Sequence, residues 1–370
     1  MEGCLKLARQ YFYQTGQPQR KHFVARHLSY HGNTLGTLAV AHNLGRRAPY
    51  EAILNQDVFH HVSPAYYKRF KYENETEAAY VARLAEELEA KFQELGPQNV
   101  IGSFSFQHAV VAETVVGATT GVVAAPKGYF KAMKEVAHRH GALFILDEEW
   151  VLFTLGKALE TAKLLIFKLL RKANYGGVSD LVRPRNALLL IVIGVSRYAA
   201  IGAVLMNKRV ANGIRDRNGY WQHGHTYQAH PLSCAASLAV QEVIRKENLL
   251  ENNLKQGAYL ASLLRQRLES PNALAKPYIF DIRGGGLWYA VEFEVPPEKM
   301  GTHKFALVVQ AKCLEKGLII MGFTGGANLQ GTKGDHCMLS PAYNITKEQV
   351  DSIVDIFVES IEETIKEFKF

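Results

Sequence analysis

The sequence predicts an α/β protein whose large domain holds a mostly parallel sheet, followed by a smaller C-terminal α+β domain. Short, continuous apolar runs over residues 141–147 and 187–194 are typical of strands buried on both faces, as in parallel sheets. A helical pattern over 129–140 lies between the apolar runs 109–116 and 141–147 and completes a β-α-β unit. We expect the two domains to cover residues 1–248 and 249–370.

Composition narrows the class of protein. The chain has 370 residues, of which 48% are hydrophobic and 21% charged, as in ordinary globular proteins. The net charge of +8 is modest, and the basic residues are scattered among acids, so no nucleic-acid partner is expected. The four cysteines lie far apart, which fits a reducing compartment. No apolar leader follows Met1 and no apolar run is long enough to span a bilayer, so we expect a cytoplasmic protein without membrane association.

Asp147 ends the apolar run 141–147. In open α/β sheets, ligands bind at the carboxyl ends of the strands. The Asp147 carboxylate is therefore a candidate to pair with a cationic group of a cofactor. The alternative is that it caps the next helix or forms a structural ion pair.

Two further side chains follow or interrupt predicted strands. Tyr30 lies in the polar turn 29–34, after the strand-like run 22–26, where its ring would stack on a flat ligand or pack at the strand end. Glu113 lies within the apolar run 109–116, and a carboxylate in such a setting needs a partner. Either an arginine satisfies it structurally or it faces the site.

Three histidines, His223, His225 and His230, suggest a metal site, but no carboxylate or cysteine nearby completes a ligand set, so no metal is expected. The glycine and threonine between them suit a loop that donates hydrogen bonds to an anion. A helix predicted over 232–245 would add its amino-terminal dipole to such a site.

Several motifs occur in order along nearly the whole chain. They are KLARQ at 6–10, SYHGNTLG at 29–36, AETVVGATTG at 112–121, PKGYFKA at 126–132, RHGAL at 139–143, LDE at 146–148, IGAVL at 201–205 and GHTYQAHP at 224–231. Together they resemble the class III aminotransferases, the pyridoxal-phosphate family of fold type I. The motifs RGGGL at 283–287 and GDH at 334–336 extend the resemblance into the smaller domain.

The resemblance implies transfer of an amino group between an amine or ω-amino acid and a keto acid, with pyridoxal 5'-phosphate as cofactor. It implies that Asp147 pairs with the pyridinium nitrogen and that Tyr30 stacks on the ring, with His31 beside it. Thr226 corresponds to the hydroxyl that reaches the cofactor phosphate from the neighbouring subunit, which implies a homodimer. Glu113 corresponds to an acid near the substrate.

The chain departs from the family pattern in two places. The glycine-serine phosphate loop of the family precedes the helix that begins here at Met1, so we expect weaker anchoring of the phosphate. Counting back from Tyr198 places Val192 at the position of the Schiff-base lysine, and residues 149–196 resemble the family least. Valine forms no imine, so the catalytic residue stays unassigned.

This departure leaves an alternative open. A catalytically inactive homologue would act as a binding or dimerisation partner, as a homodimer or with a paralogue. A lysine-independent pyridoxal-phosphate lyase or racemase would need another base, such as His31.

Overall fold

The computed structural model describes residues 1–101, 110–113, 115–147, 188–191 and 201–369, and the statements below concern these residues. They form two compact units. The first comprises the described residues up to 115 together with 124–147, 188–191 and 201–242. The second comprises 116–123 and 243–369. The segment 116–123 thus belongs to the second unit, although it directly follows the strand that carries Glu113.

Helices are the most abundant regular elements of the described residues. In chain order they are α1 (Glu2–Gln14), α2 (Leu35–Val40), α3 (Leu44–Arg47), α4 (Tyr67–Phe70), α5 (Glu77–Leu95), α6 (Tyr129–Arg139), α7 (Lys208–Arg215), α8 (Pro231–Lys246), α9 (Leu249–Leu268), α10 (Pro297–Met300), α11 (Phe305–Glu315) and α12 (Lys347–Glu367). Short 3-10 helices cover Ala48–Ile53, Pro97–Asn99 and Lys276–Tyr278.

The strands are shorter. They are β1 (Phe23–Arg26), β2 (Phe59–Val62), β3 (Val110–Glu113), β4 (Val115–Val116), β5 (Val123–Ala124), β6 (Ile145–Asp147), β7 (Leu188–Ile191), β8 (Ala203–Leu205), β9 (Ile279–Gly285), β10 (Trp288–Phe293), β11 (Met321–Phe323) and β12 (His336–Leu339).

The first unit is organised around a six-stranded sheet in the order β2-β1-β3-β6-β7-β8. Neighbouring strands run parallel from β2 to β7, and β8 pairs antiparallel with β7. In this register Glu113 on β3 lies beside Asp147 on β6. The predicted α/β class with a mostly parallel sheet is therefore confirmed.

Helices cover both faces of this sheet, because successive side chains of a strand point to opposite sides. On β1, Phe23 and Ala25 join a core with the apolar side of α1 and with Val210 and Ile214 of α7. Val24, between them, joins a separate core built mainly from α5 and α6. The two cores lie on opposite faces of the sheet, which is therefore the middle layer. The candidate site lies at the carboxyl edge of the sheet.

Sequence features explain where the main helices form. Residues 2–14 form α1, and its buried residues recur at helical spacing. Thr76 caps α5, since its side chain accepts a hydrogen bond from the Ala79 backbone N–H. Thr346 and Gln349 form a reciprocal capping box at the start of α12.

The second unit contains an antiparallel sheet in the order β11-β12-β10-β9, packed against α9, α11 and α12, which confirms the predicted smaller α+β part. Its core is apolar and includes Leu264 of α9, Val309 of α11 and Phe357 of α12. Gly257 of α9 lies so close to the β9–β10 turn that a Cβ there would fall 1.8 Å from the Gly286 carbonyl oxygen. Only glycine fits this approach.

None of the helices in the described part of the chain combines the length and the apolar character that a bilayer crossing requires.

Candidate functional site

Asp147 lies at the carboxyl end of β6 and is buried, with a relative exposure of 6%. Its Oδ2 lies 3.0 Å from Nδ1 of His31, which is itself buried. Burial lowers the pKa of His31, and the neighbouring Asp147 carboxylate opposes that shift. A neutral imidazole that faces a carboxylate donates its Nδ1–H, so Nε2 of His31 carries the free lone pair.

One polar atom of this pair is left over. His31 Nε2 is buried and makes no hydrogen bond to any described residue. Asp147 contacts His31 through Oδ2. Buried polar atoms without partners are uncommon in native proteins. The pair therefore has unused hydrogen-bonding capacity at the sheet edge where ligands bind.

Glu113 ends β3, the strand between β1 and β6. Its Oε2 accepts a hydrogen bond of 3.2 Å from the backbone N–H of Tyr30, and its carbonyl oxygen accepts one of 2.7 Å from Nη2 of Arg26. Arg26 is almost fully buried, and its guanidinium lies 5.7 Å from the centre of the Tyr129 ring. An arginine, one of the two alternatives that the sequence left open for Glu113, is present, but Arg26 donates to the Glu113 carbonyl oxygen, while the Glu113 carboxylate accepts from the Tyr30 backbone.

Hydrogen bonds to Glu2 of α1 hold the turn that carries Tyr30 and His31 in place. Glu2 Oε2 accepts hydrogen bonds from the Thr34 hydroxyl at 2.5 Å and from the Thr37 backbone N–H at 3.1 Å. Gly32 has a φ of +125°, and a Cβ there would lie 2.9 Å from the Thr37 hydroxyl oxygen. The turn therefore needs glycine at this position.

The structure thus brings four of the five predicted site residues together at the carboxyl edge of β1, β3 and β6: Tyr30, His31, Glu113 and Asp147. Thr226 is exposed, and its side chain makes no hydrogen bond within the described residues. Val192, where the family lysine is expected, lies outside the described residues.

Sequence reasoning missed Arg26 and Arg46. Arg26 ends the predicted strand 22–26, shortly before the polar turn 29–34. This position at a strand end could have indicated a site residue. Arg46 has no comparable motif, and its guanidinium carbon lies 4.5 Å from the centre of the half-buried Tyr30 ring.

A cluster of three histidines adjoins the turn. The His27 and His42 rings are 4.3 Å apart between centroids, and the His61 ring lies 5.4 and 4.9 Å from them. His61 Nε2 lies 3.0 Å from the Val40 carbonyl oxygen, while Nδ1 of both His27 and His42 is buried without a partner in the described chain. No group of three or more metal-binding side chains among the described residues has the geometry to hold an ion, this cluster included.

The cluster predicts that the protein loses stability in acid. Burial, and then the neighbouring His42, lower the pKa of His27 to about 4 and that of His61 to about 3. Burial and Arg47 also lower the pKa of His42. Histidines of the unfolded chain have pKa values near 6.5. Between about pH 4 and pH 6.5 the unfolded chain therefore binds more protons than the folded chain. The free energy of unfolding is therefore expected to fall as the pH drops from about 6.5 towards 4.

Urea unfolding at a series of pH values measures this dependence. The His27→Gln variant should show a shallower fall over the same pH interval, because one of the groups that stays neutral in the fold has been removed. His230→Gln, at an exposed position, serves as the control and should match the natural protein. Equal slopes for all three proteins would show that the cluster does not cause the acid sensitivity.

The comparisons with known proteins agree on one family. A family model described as aminotransferase class-III matches residues 1–150 and 196–361. An aminotransferase of Gibberella zeae is 38% identical over 367 residues, which cover 98% of this chain and 66% of that protein. An uncharacterized aminotransferase of Schizosaccharomyces pombe is 35% identical over 374 residues, covering 99% of this chain and 74% of the relative. The chain thus spans about two thirds of the first of these proteins.

Solved structures show the same fold. The crystal structure of an omega transaminase from Pseudomonas jessenii in complex with PMP superposes with a TM-score of 0.79. The alignment covers 100% of this chain and 74% of that one, at 24% identity, which shows the fold type I architecture. The family match leaves out residues 151–195, within the segment that resembles the family least in sequence.

Proposed function

The chain belongs to the class III aminotransferase family, and from this premise we propose that it transfers an amino group between an amine or ω-amino acid and a keto acid. The cofactor of this family is pyridoxal phosphate. The observation that supports the proposal most strongly is the buried Asp147–His31 pair at the carboxyl edge of the parallel sheet.

The residues present fit this cofactor. A buried carboxylate suits a protonated pyridine nitrogen, because it supplies both an acceptor and the opposite charge. The ring of Tyr30 is half-buried. It offers a flat apolar surface to a heteroaromatic ring. When bound, pyridoxal phosphate acts as an electron sink for the carbon that exchanges its amino group.

Each side chain then has a defined task. Asp147 holds the proton on the pyridine nitrogen, and His31 orients the Asp147 carboxylate through its Nδ1–H. Glu113 fixes Tyr30 through the backbone and lies on the substrate side. Thr226 of the partner subunit donates its hydroxyl to the cofactor phosphate, which makes the homodimer part of the proposal.

The amine that forms the covalent link to the cofactor is unassigned, since Val192 and its neighbours lie outside the described residues. The inactive-homologue alternative gains no support from the relatives, which are named as aminotransferases.

We also propose that residues 1–248 form the cofactor-binding domain and 249–370 the small domain. A cytoplasmic location fits the four cysteines, all of which are free.

Cofactor trapping tests the proposal. Purified protein is mixed with pyridoxal phosphate, reduced with borohydride, digested and analysed by mass spectrometry. We expect one lysine-containing peptide to carry the cofactor, and an added ω-amino acid to protect it from this labelling. Protein that neither retains the cofactor nor acquires such an adduct would contradict the proposed transaminase activity and favour the inactive homologue.

A further inference from the structure

The loop 117–122 follows the strand that carries Glu113. The short strands β4 and β5 pair with each other and close this loop at its base, and only residue 114 lies between Glu113 and β4. Within the loop, the Gly117 carbonyl oxygen accepts a hydrogen bond of 3.0 Å from the Gly121 backbone N–H. The backbone therefore links the position of the loop to the position of the strand end.

Arg283 belongs to the motif RGGGL and binds this loop. Its Nε donates to the Gly121 carbonyl oxygen at 2.6 Å, and its Nη2 donates to the Thr120 carbonyl oxygen. Its Nη1 lies 2.6 Å from the Glu292 carboxylate and 3.3 Å from the Asp281 carboxylate. These ion pairs hold the guanidinium, which thereby presents fixed donors to two neighbouring carbonyl groups of the loop.

Two further residues contact the preceding carbonyl groups of the loop. His336, of the motif GDH, places Nε2 3.1 Å from the Ala118 carbonyl oxygen. A Cβ at Gly326 would lie 2.0 Å from the Thr119 carbonyl oxygen, so only glycine permits this approach. Together with the contacts of Arg283, four consecutive carbonyl groups of the loop are in contact with residues distant in sequence.

The loop also keeps two features that cost free energy. Val122 is buried and has a φ of +54°, which a β-branched residue rarely adopts. The Thr120 hydroxyl is buried and has no hydrogen-bond partner among the described residues. Such features persist where surrounding contacts fix a conformation, and strained backbone clusters at functional sites. We therefore expect the position of this loop to matter for function.

We propose that Arg283 is a positioning residue, which holds the loop 117–122 and thereby fixes the end of β3 so that the Glu113 carboxylate binds the Tyr30 backbone. The link runs from Arg283 through the loop to Glu113, whose Oε2 accepts a hydrogen bond of 3.2 Å from the Tyr30 N–H. The consequence for the substrate rests on the proposed function, in which Glu113 lies on the substrate side.

Hydrogen–deuterium exchange, resolved to single amides, measures the bond between Glu113 and Tyr30 without cofactor or substrate. Arg283→Lys keeps a positive charge beside Glu292, but an ammonium group lacks the planar fork that reaches both loop carbonyl groups. Glu292→Gln is the matched control, because it removes the charge of the ion pair and leaves the guanidinium with its donors to the loop. The amides of α5 report global opening in every variant.

We expect the Tyr30 amide to exchange about tenfold faster in Arg283→Lys, as for the loss of hydrogen bonds from a charged group. The amides of α5 should exchange as slowly as in the natural protein. In Glu292→Gln the Tyr30 amide should also match the natural protein, although the buried ion pair is lost. Unchanged Tyr30 exchange in Arg283→Lys, or the same increase in both variants, would overturn the proposal.

A second variant covers the case in which Arg283→Lys does not fold. His336→Asn retains a donor near the Gly334 carbonyl oxygen, which lies 2.8 Å from His336 Nδ1, and loses the contact with Ala118. It leaves the ion pairs of Arg283 in place. The Tyr30 amide should then exchange about threefold faster, with α5 unaffected. Tyr30 exchange equal to that of the natural protein would count against the positioning role.

Failure of the proposed function gives a different pattern. In that case the natural protein takes up no pyridoxal phosphate, and the exchange measurements still decide whether Arg283 positions Glu113. If the cofactor binds and the Tyr30 amide is insensitive to Arg283→Lys, the positioning role alone is wrong.

Discussion

The Asp147→Asn variant is expected to bind pyridoxal phosphate roughly a hundredfold more weakly than the natural protein. Removing one partner of a buried, hydrogen-bonded charge pair costs about 2–5 kcal/mol, and each 1.4 kcal/mol is about tenfold in affinity. The asparagine has nearly the same shape but no charge to offer the protonated pyridine nitrogen. It also replaces the charged acceptor of the His31 Nδ1–H, which now lies 3.0 Å from Oδ2.

Fluorescence titration with the cofactor measures this loss. Asp216→Asn is the control, because Asp216 forms an exposed ion pair with Arg215. A change there is expected to leave cofactor affinity intact. Unfolding curves establish that Asp147→Asn is still folded. Unchanged affinity in folded Asp147→Asn would mean that the carboxylate has a structural role only.

The Arg283→Met variant is expected to lose about 3–5 kcal/mol of unfolding free energy, the usual cost of breaking a buried ion pair. Arg283 Nη1 lies 2.6 Å from Glu292 Oε2, and the Glu292 side chain is only 1% exposed. The same guanidinium donates to the carbonyl oxygens of Thr120 and Gly121. Methionine would remove the Arg283 charge from the buried Glu292 carboxylate and release the segment that follows the Glu113 strand.

Urea unfolding tests this expectation against two further variants. Arg267→Met breaks the exposed pair with Asp355 and should cost less than about 1 kcal/mol. The double variant Arg283→Met/Glu292→Gln should recover part of the loss, since no buried charge remains. A cost for Arg283→Met as small as that for Arg267→Met would show that the buried pair contributes little.

Local patterns predicted the architecture well, because α1 and the parallel strands depend on periodicity and on continuous apolar runs. The strand ending in Asp147 was predicted from its apolar run, and the register that places it beside Glu113 follows from parallel pairing. The antiparallel direction of β8 was not predictable, because apolar runs carry no information on strand direction.

The candidate site was harder to predict, since it depends on contacts between distant parts of the chain. Glu2 accepts a hydrogen bond from Thr34, and Arg26 donates one to the Glu113 carbonyl oxygen. Local sequence patterns do not predict either contact. The cluster of His27, His42 and His61 forms only when β1 and β2 pair and the intervening turn folds back. The role proposed for Thr226 involves a second subunit and stays a prediction.

Nitrogen NMR of pyridoxal phosphate labelled with ¹⁵N in the ring and bound to the protein tests the pairing of Asp147 with the cofactor directly. We expect a protonated pyridine nitrogen in the natural protein and a neutral one in Asp147→Asn. A neutral ring nitrogen in the natural protein, or the same protonated signal in both proteins, would contradict the pairing of Asp147 with the cofactor.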